Sequence, residues 1–295
     1  MQISTATILH ARTCNVDFRA NLLAVPEDFS QEDIQLARKQ IVSSTRYFEL
    51  VGTSGRRLVF GNKTHVISGI SIRIGDLYRL CGQEPQYEFV DGKRINYAFI
   101  GLVFPKCDLQ AAVDIPYSTF LAEFEKYMLL RWEDANDSAA LMHTKTDYCT
   151  RELPVSQKVS TLLQASDRTI PQVIDSKADS AESIAAQATL LAAQQDHFAF
   201  CSDIPTANCV RESNFNAVTS TNAASILASM QKSNTKVTTG DSASIPTQKN
   251  SPKQLCMEAT QEKKKDQSIK SRTTVPFLVV AGIILLALVV WILAK

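Results

Sequence analysis

The feature that most constrains this chain is a stretch of residues without any charge near its C-terminal end. Residues 275–294 read VPFLVVAGIILLALVVWILA. About 20 residues in an α-helix span the hydrocarbon core of a bilayer, and a helix satisfies its own backbone hydrogen bonds in lipid. We therefore expect a transmembrane anchor that begins with Val275, Pro276 and Phe277 and places Trp291 near the opposite interface. A buried core helix is the alternative interpretation.

The flanks of this stretch predict its orientation. Basic residues precede it, whereas Lys295 alone follows it. The preceding basic residues are Lys263, Lys264, Lys265, Lys270 and Arg272. Basic flanks stay on the cytoplasmic side of a membrane, and residues 1–14 contain no apolar run long enough for a signal peptide. We therefore expect a single-pass, tail-anchored protein whose body faces the cytosol or the nucleoplasm. The juxtamembrane basic residues either set this topology only or also attract anionic lipid.

Charge and cysteine content exclude several classes of protein. The chain carries 31 Lys and Arg against 30 Asp and Glu, which argues against a nucleic-acid-coating protein. The seven cysteines are Cys14, Cys81, Cys107, Cys149, Cys201, Cys209 and Cys256. They form no Cys-x-x-Cys pair, and His197 near Cys201 and Cys209 does not match a zinc spacing. We expect free thiols in a reducing compartment, no metal and no cofactor.

Catalytic motifs are not recognisable in the sequence. Residues 61–64, GNKT, differ from a phosphate-binding loop because Asn62 separates the glycine from the lysine, so a hairpin turn is expected there. Asp76 is interpreted as a helix cap. We expect the protein not to be an enzyme. The enzyme alternative requires a concave polar pocket that joins residues such as His65 and Asp76.

Residues 1–150 have the patterns of a folded α+β domain. Ser30 and Asp33 predict the start of a helix, and the alternation of residues 70–74 predicts a half-buried strand. Asp91-Gly92 between two alternating runs predicts a hairpin. A helix after Pro116 carries an apolar stripe, and a helix that follows a run of strands closes one face of an antiparallel sheet. The expected fold is a small antiparallel sheet with flanking helices.

Residues 151–272 have a different composition, rich in Ser, Thr, Ala, Gln and Asn. We expect a polar, mostly disordered tether with short amphipathic stretches, followed by the anchor at 275–294. The stretch at 179–198 is the strongest of these. It either folds on binding a partner or packs onto the N-terminal body.

The layout resembles the membrane subunit of the herpesvirus nuclear egress complex. The resemblance covers residues 14–132 and the anchor. The segments that carry it are 14–21 with 31–41, 46–60, the strand and Gly-Asp-Leu turn at 70–77, and the hairpin at 97–115. It implies a scaffold at the inner membrane of the host nucleus that recruits a soluble partner and acts in virion egress by membrane budding.

A second resemblance is to the longin domains of tail-anchored trafficking proteins. It rests on residues 99–104, FIGLVF, then Ile115-Pro116 and the pair Phe120 and Phe124. It implies a five-stranded sheet with helices on both sides and a regulator of vesicle trafficking, because no SNARE-type heptad run precedes the anchor. A bacterial inner-membrane protein of the same layout is a third interpretation.

These observations together predict a tail-anchored membrane scaffold that has no chemistry of its own. Its expected partners are the lipid bilayer and an unidentified soluble protein, without nucleic acid. The expected contact surfaces are the Asp91-Gly92 hairpin and the stretch at 179–198.

Overall fold

The centre of the fold is a group of strands that are buried on both faces. The computed structural model describes residues 1–11, 22–46, 55–84, 89–90, 94–129, 144–164 and 170–238. Within them, nearly every residue of the strands at 55–61, 65–73 and 97–105 is buried. Strands covered on both faces have continuous apolar runs rather than a strict alternation. The sheet is therefore an internal layer between two layers of helices, and the fold is mixed α/β.

The described residues form twelve strands and six α-helices. The strands are β1 (Gln2–His10), β2 (Ala24–Pro26), β3 (Gly55–Gly61), β4 (His65–Arg73), β5 (Phe89–Val90), β6 (Arg94–Ile95), β7 (Tyr97–Pro105), β8 (Thr144–Thr146), β9 (Cys149–Glu152), β10 (Gln172–Asp175), β11 (Ala199–Cys201) and β12 (Ala217–Ser220). The helices are α1 (Gln31–Ser44), α2 (Ile74–Leu80), α3 (Tyr117–Phe124), α4 (Ala181–Gln194), α5 (Ala207–Glu212) and α6 (Ala223–Thr238).

Ten of the strands belong to one sheet. Its order is β10-β12-β11-β3-β4-β7-β1-β2-β8, with β9 paired to β1 as well. The part from β3 to β2 is antiparallel, whereas β10, β12 and β11 run parallel to each other. β11 joins the two parts by pairing antiparallel with β3, with Phe200 opposite Val59. β5 and β6 form a separate antiparallel pair around residues 91–93, which lie outside the described residues.

The helices divide between the two faces of the sheet. The first face packs against α2, α3 and α4 through Leu77, Tyr78, Phe120, Phe124, Ile184, Ala188 and Leu191. The second face packs against α1, α5 and α6 through Ala37, Ile41, Cys209, Val210 and Ile226. The crossovers β10–α4–β11 and β11–α5–β12 run in opposite directions along the sheet. Right-handed crossovers in opposite directions place their helices on opposite faces, as found for α4 and α5.

The fold corrects two expectations from the sequence. The sheet is large and partly parallel rather than small and antiparallel. In addition, residues 151–164 and 170–238, expected to be tether, contribute strands and helices to the same body. Small residues explain the difference: Ala188 and Ala192 are completely buried against the sheet although they contribute little to an apolar pattern. Residues 239–272 of the expected tether lie outside the described residues.

The prediction of a single-pass, tail-anchored membrane protein is also corrected. In the part of the chain that the structure describes, no helix combines the length and the apolar character needed to cross a bilayer. The longest, α6, has 16 residues, fewer than the ~20 that a bilayer requires. The predicted anchor at 275–294 lies outside the described residues.

Candidate functional site

A cavity of about 590 Å³ opens on the first face of the sheet. Its floor is formed by Arg57 of β3 and Ser68 of β4. Its walls come from residues 113–117 at the start of α3, residues 154–158, and the first two turns of α4. The cavity exists because α3 and α4 cover different parts of the same sheet face and leave a gap between their N-terminal ends.

Arg57 is the central residue of this cavity. Its side chain is 9% exposed, although its head group is a cation. Nη1 donates a hydrogen bond to the carbonyl oxygen of Ile115 at 3.3 Å. The guanidinium also lies over two aromatic rings, 4.6 Å from the centroid of Tyr117 and 5.4 Å from that of Phe120. These contacts compensate part of the cost of burying a charge.

The remaining edge of the guanidinium is incompletely satisfied. Nη2 lies 3.6 Å from Oε1 of Glu182, which is an ion-pair distance but too long for a hydrogen bond. The Glu182 side chain is 59% exposed and is therefore well solvated. Nε of Arg57 is buried and has no hydrogen-bond partner among the residues that the structure describes. Among the described residues, the acid nearest to the guanidinium is therefore held at ion-pair distance without a hydrogen bond.

Two helices begin at the cavity. Pro116 is the N-cap of α3 and makes no side-chain capping bond. Ser180 caps α4, where its hydroxyl accepts a hydrogen bond from the Ser183 backbone at 3.1 Å. The N-terminal ends of helices carry partial positive charge. The cavity entrance thus has a positive contribution from the backbone besides that of Arg57.

The other charged groups around the cavity are of both signs. Lys158 pairs with Asp179 at 3.0 Å, and this contact lowers the pKa of the Asp179 carboxyl. Asp114 and Glu182 are the acidic side chains that line the cavity. The site therefore combines one buried cation with two exposed charges, Lys158 and Glu182, that water can screen, and two partly buried carboxylates, Asp114 and Asp179.

Two exposed side chains, Tyr117 and Val155, form an apolar rim on part of the cavity, beside the exposed polar residues Gln157, Lys158 and Glu182. Tyr117 is 37% exposed and Val155 is 47% exposed, and both line the opening. Val159, close by in sequence, is 37% exposed. Burial raises the pKa of the Tyr117 hydroxyl, while the charge of Arg57 opposes that shift. An apolar rim around a buried polar anchor is typical of a binding pocket.

A second polar cluster lies away from the cavity. His65 Nε2 is 2.9 Å from Oδ2 of Asp28, and its Nδ1 is 2.9 Å from the hydroxyl of Thr64. Tyr148 donates to Oδ1 of Asp28 at 3.2 Å. This cluster ties the start of β4 to the segment before α1. His65 begins β4, whereas Asp76 lies in α2 beyond the other end of that strand, about 25 Å of strand away, so these two residues are not brought together.

The residues singled out in the sequence mostly do not meet at the cavity. The predicted anchor residues and the basic residues at 263–272 lie outside the described residues. The stretch at 179–198 packs onto the N-terminal body, the second of the two possibilities given above, because it forms α4 against the sheet. His197 is exposed, whereas Cys201 and Cys209 are buried on the second face. Among the described residues, no group of three His, Cys, Asp or Glu is placed to hold a metal ion.

Arg57, Tyr117 and Glu182 were not predicted as site residues. The sequence did contain a signal for Arg57, because the pair Arg56-Arg57 opens an otherwise apolar strand, GRRLVFG. Glu182 carried no comparable signal. It reaches Arg57 only because α4 packs across β3, which local sequence does not reveal.

No protein-family model, curated protein or solved structure gives a significant match to the chain.

Proposed function

We propose that the chain is a binding protein without chemistry of its own that recruits a soluble protein partner through the cavity. The observation that carries this proposal is the combination of a buried arginine at the floor with an apolar rim at the opening. Protein interfaces place aromatic and aliphatic side chains around a few buried polar anchors, and Arg and Tyr are frequent among the residues that dominate binding energy. Tyr117, Val155 and Arg57 provide this set at one place.

The arrangement of the N-terminal strands favours the longin alternative over the nuclear egress alternative. The strands β3-β4-β7-β1-β2 form five antiparallel neighbours, with α1 on one face and α2 and α3 on the other. The longin resemblance implies a five-stranded sheet with helices on both sides; here the five strands are part of a ten-stranded sheet, and the helices lie on both faces. This layout supports the proposal that the partner is a protein of vesicle trafficking. Fold alone does not define a function, so the cavity remains the main support.

The proposal is tested by affinity purification with the full-length chain as bait. The test variant is Val155→Asp, which puts a charge on the rim at a position that is 47% exposed. The matched control is Val42→Asp on α1, 37% exposed on the opposite face. We expect one or more proteins to be captured by the wild type and the control and lost with Val155→Asp.

The partner found in this way is then purified and its affinity measured directly. A charge placed in the centre of an interface costs about 2 kcal/mol or more, which corresponds to about a thirtyfold loss of affinity. The proposal is overturned if every captured protein binds Val155→Asp and Val42→Asp equally well.

A further inference from the structure

The environment of Arg57 is incomplete for a buried cation. Removing a cation from water costs several kcal/mol unless paired charges and hydrogen bonds replace the lost hydration. Arg57 has one carbonyl acceptor, two aromatic rings and a carboxylate at 3.6 Å. Buried arginines with this cost normally carry a close, hydrogen-bonded acid. Among the residues that the structure describes, no acid is hydrogen-bonded to Arg57.

The geometry of the guanidinium indicates what kind of group fits. Nη1 donates to the Ile115 carbonyl oxygen and Nε is enclosed by the protein, so Nη2, 3.6 Å from Glu182, is the nitrogen that can reach a ligand in the cavity. A charged N–H group of this kind fits an oxygen of a carboxylate or of a phosphate. A neutral acceptor satisfies the hydrogen bonds but not the charge.

The surroundings of this nitrogen support an anion as the occupant. At the N-terminal end of α3 the Thr119 backbone N–H donates to the Pro116 carbonyl oxygen at 3.0 Å, and this helix end brings partial positive charge to the cavity wall. Glu182 and Asp114 oppose an anion, and Lys158 favours one. Glu182 is more than half exposed, so an entering anion displaces a solvated side chain rather than a buried one.

We infer that the cavity holds a compact oxyanion, a carboxylate or a phosphate group, with Arg57 as its anchor and Glu182 as an internal competitor. The inference rests on the proposed function for the source of that group, which is then the protein partner. The apolar rim of Tyr117 and Val155 receives the part of the partner next to the anion.

The test uses the full-length chain and four small probes: acetate, benzoate, inorganic phosphate and phenylphosphate. Binding is measured by calorimetry and by the shift of the unfolding temperature at constant ionic strength. We expect saturable binding of at least one probe type, tighter for the aromatic member because its ring reaches the rim. The affinities of benzoate and phenylphosphate are then compared, and the tighter of the two shows whether the site prefers a carboxylate or a phosphate ligand.

The decisive variant is Glu182→Gln, because an exposed position does not endanger folding. Removing the competitor tightens anion binding by about two- to fivefold, the range that a loosely held ion pair allows. The matched control is Glu212→Gln, which removes an equally exposed carboxylate paired with Arg46 at 2.9 Å and changes the net charge by the same amount. The control leaves the affinity unchanged. Arg57→Gln, checked for folding by circular dichroism, abolishes the binding.

The outcomes separate this inference from the proposed function. Absence of binding to the wild type, or an equal effect of Glu182→Gln and Glu212→Gln, overturns the inference. If the anions bind as described but no protein is lost with Val155→Asp, the proposed function fails and the site stands. If a partner depends on Val155 but binds folded Arg57→Gln with full affinity, the proposed function stands and the inference fails.

Discussion

Arg151 donates from Nη2 to Oε1 of Glu123 over 2.5 Å, although the Glu123 side chain is only 6% exposed. The second carboxylate oxygen of Glu123 accepts from the hydroxyl of Thr7. Three elements, β1, α3 and β9, are therefore connected by one buried carboxylate. The contact also joins the expected N-terminal domain to residues expected to belong to a tether.

Glu123→Ala is the first variant that we expect to destabilise the protein strongly. It leaves the partly buried Arg151 without its acid and Thr7 without its acceptor. Removing one member of a buried ion pair costs about 3–5 kcal/mol of the free energy of unfolding. Urea denaturation measures this change. The control Glu152→Ala, at an exposed position of β9, is expected to cost less than about 0.5 kcal/mol. Equal effects of the two variants would contradict the role of the buried pair.

Gly69→Ala tests the packing in the middle of the sheet. Gly69 pairs directly with Gly101, and the ring of Phe99 covers both residues. A methyl group at Gly69 overlaps the carbonyl oxygen of Ile100 and the ring of Phe99. The carbonyl oxygen belongs to the backbone and cannot move away freely. We expect a loss of about 1–3 kcal/mol in thermal or urea unfolding.

The control for this variant is Gly55→Ala. There the nearest atom is the Tyr117 hydroxyl at 3.3 Å, the end of a side chain. A smaller effect at Gly55 than at Gly69 supports the close approach of the two central strands, and the reverse order contradicts it.

Asp203 makes stability depend on pH. Burial raises the pKa of its carboxyl above 3.8, although Ser202 and Arg56 act in the opposite direction. Because the folded state then holds the proton more tightly than the unfolded state, this group stabilises the fold at low pH. Its contribution is lost as the pH rises through the raised pKa. Asp203→Asn removes the dependence without a change of backbone, since Asn also tolerates the observed φ of 54°.

Urea denaturation across the acid range measures this effect on wild type and Asp203→Asn. The difference between the two curves is expected to follow the titration of one carboxyl. Asp203→Ala, which lacks the preference for positive φ, is expected to be about 1–2 kcal/mol less stable than Asp203→Asn at all pH values. Parallel curves for wild type and Asp203→Asn would show that this carboxyl has an ordinary pKa.

The extent of the folded body can be tested by limited proteolysis. The sequence suggested a boundary near residue 150, whereas the compact unit extends from Met1 to Asp241. β11 pairs with β3, and α4 covers the central strands, so removing residues beyond 150 exposes buried apolar side chains. We expect a stable fragment that ends beyond residue 230. A stable fragment that ends near residue 150 would contradict the larger folded unit and support a domain boundary near residue 150.

Local signals in the sequence predicted local structure well. Ser30 and Asp33 form the expected capping box, and α3 begins directly after Pro116 with Phe120 and Phe124 buried. The strand at 65–73 also forms. These features depend on residues a few positions apart, which a single sequence displays directly.

Long-range pairing could not be predicted in the same way. Ser71 suggested a solvent-exposed face of β4, yet it is completely buried against Ser44 of α1. The second arm of the hairpin expected at 97–115 does not form as a strand, and Val113 instead makes a single bridge with Val155. The contact of Arg57 with Glu182 likewise depends on how α4 crosses the sheet. Each of these facts comes from a partner far away in sequence.

Hydrogen exchange of the full-length chain, with and without the purified partner, tests the central claim most directly. If the cavity is the docking site, partner binding slows exchange in residues 113–119, 154–158 and 181–187, which surround Arg57. The amides of α1 and α6 on the opposite face keep their rates. Protection confined to the opposite face, or none around the cavity at saturating partner, would contradict the account.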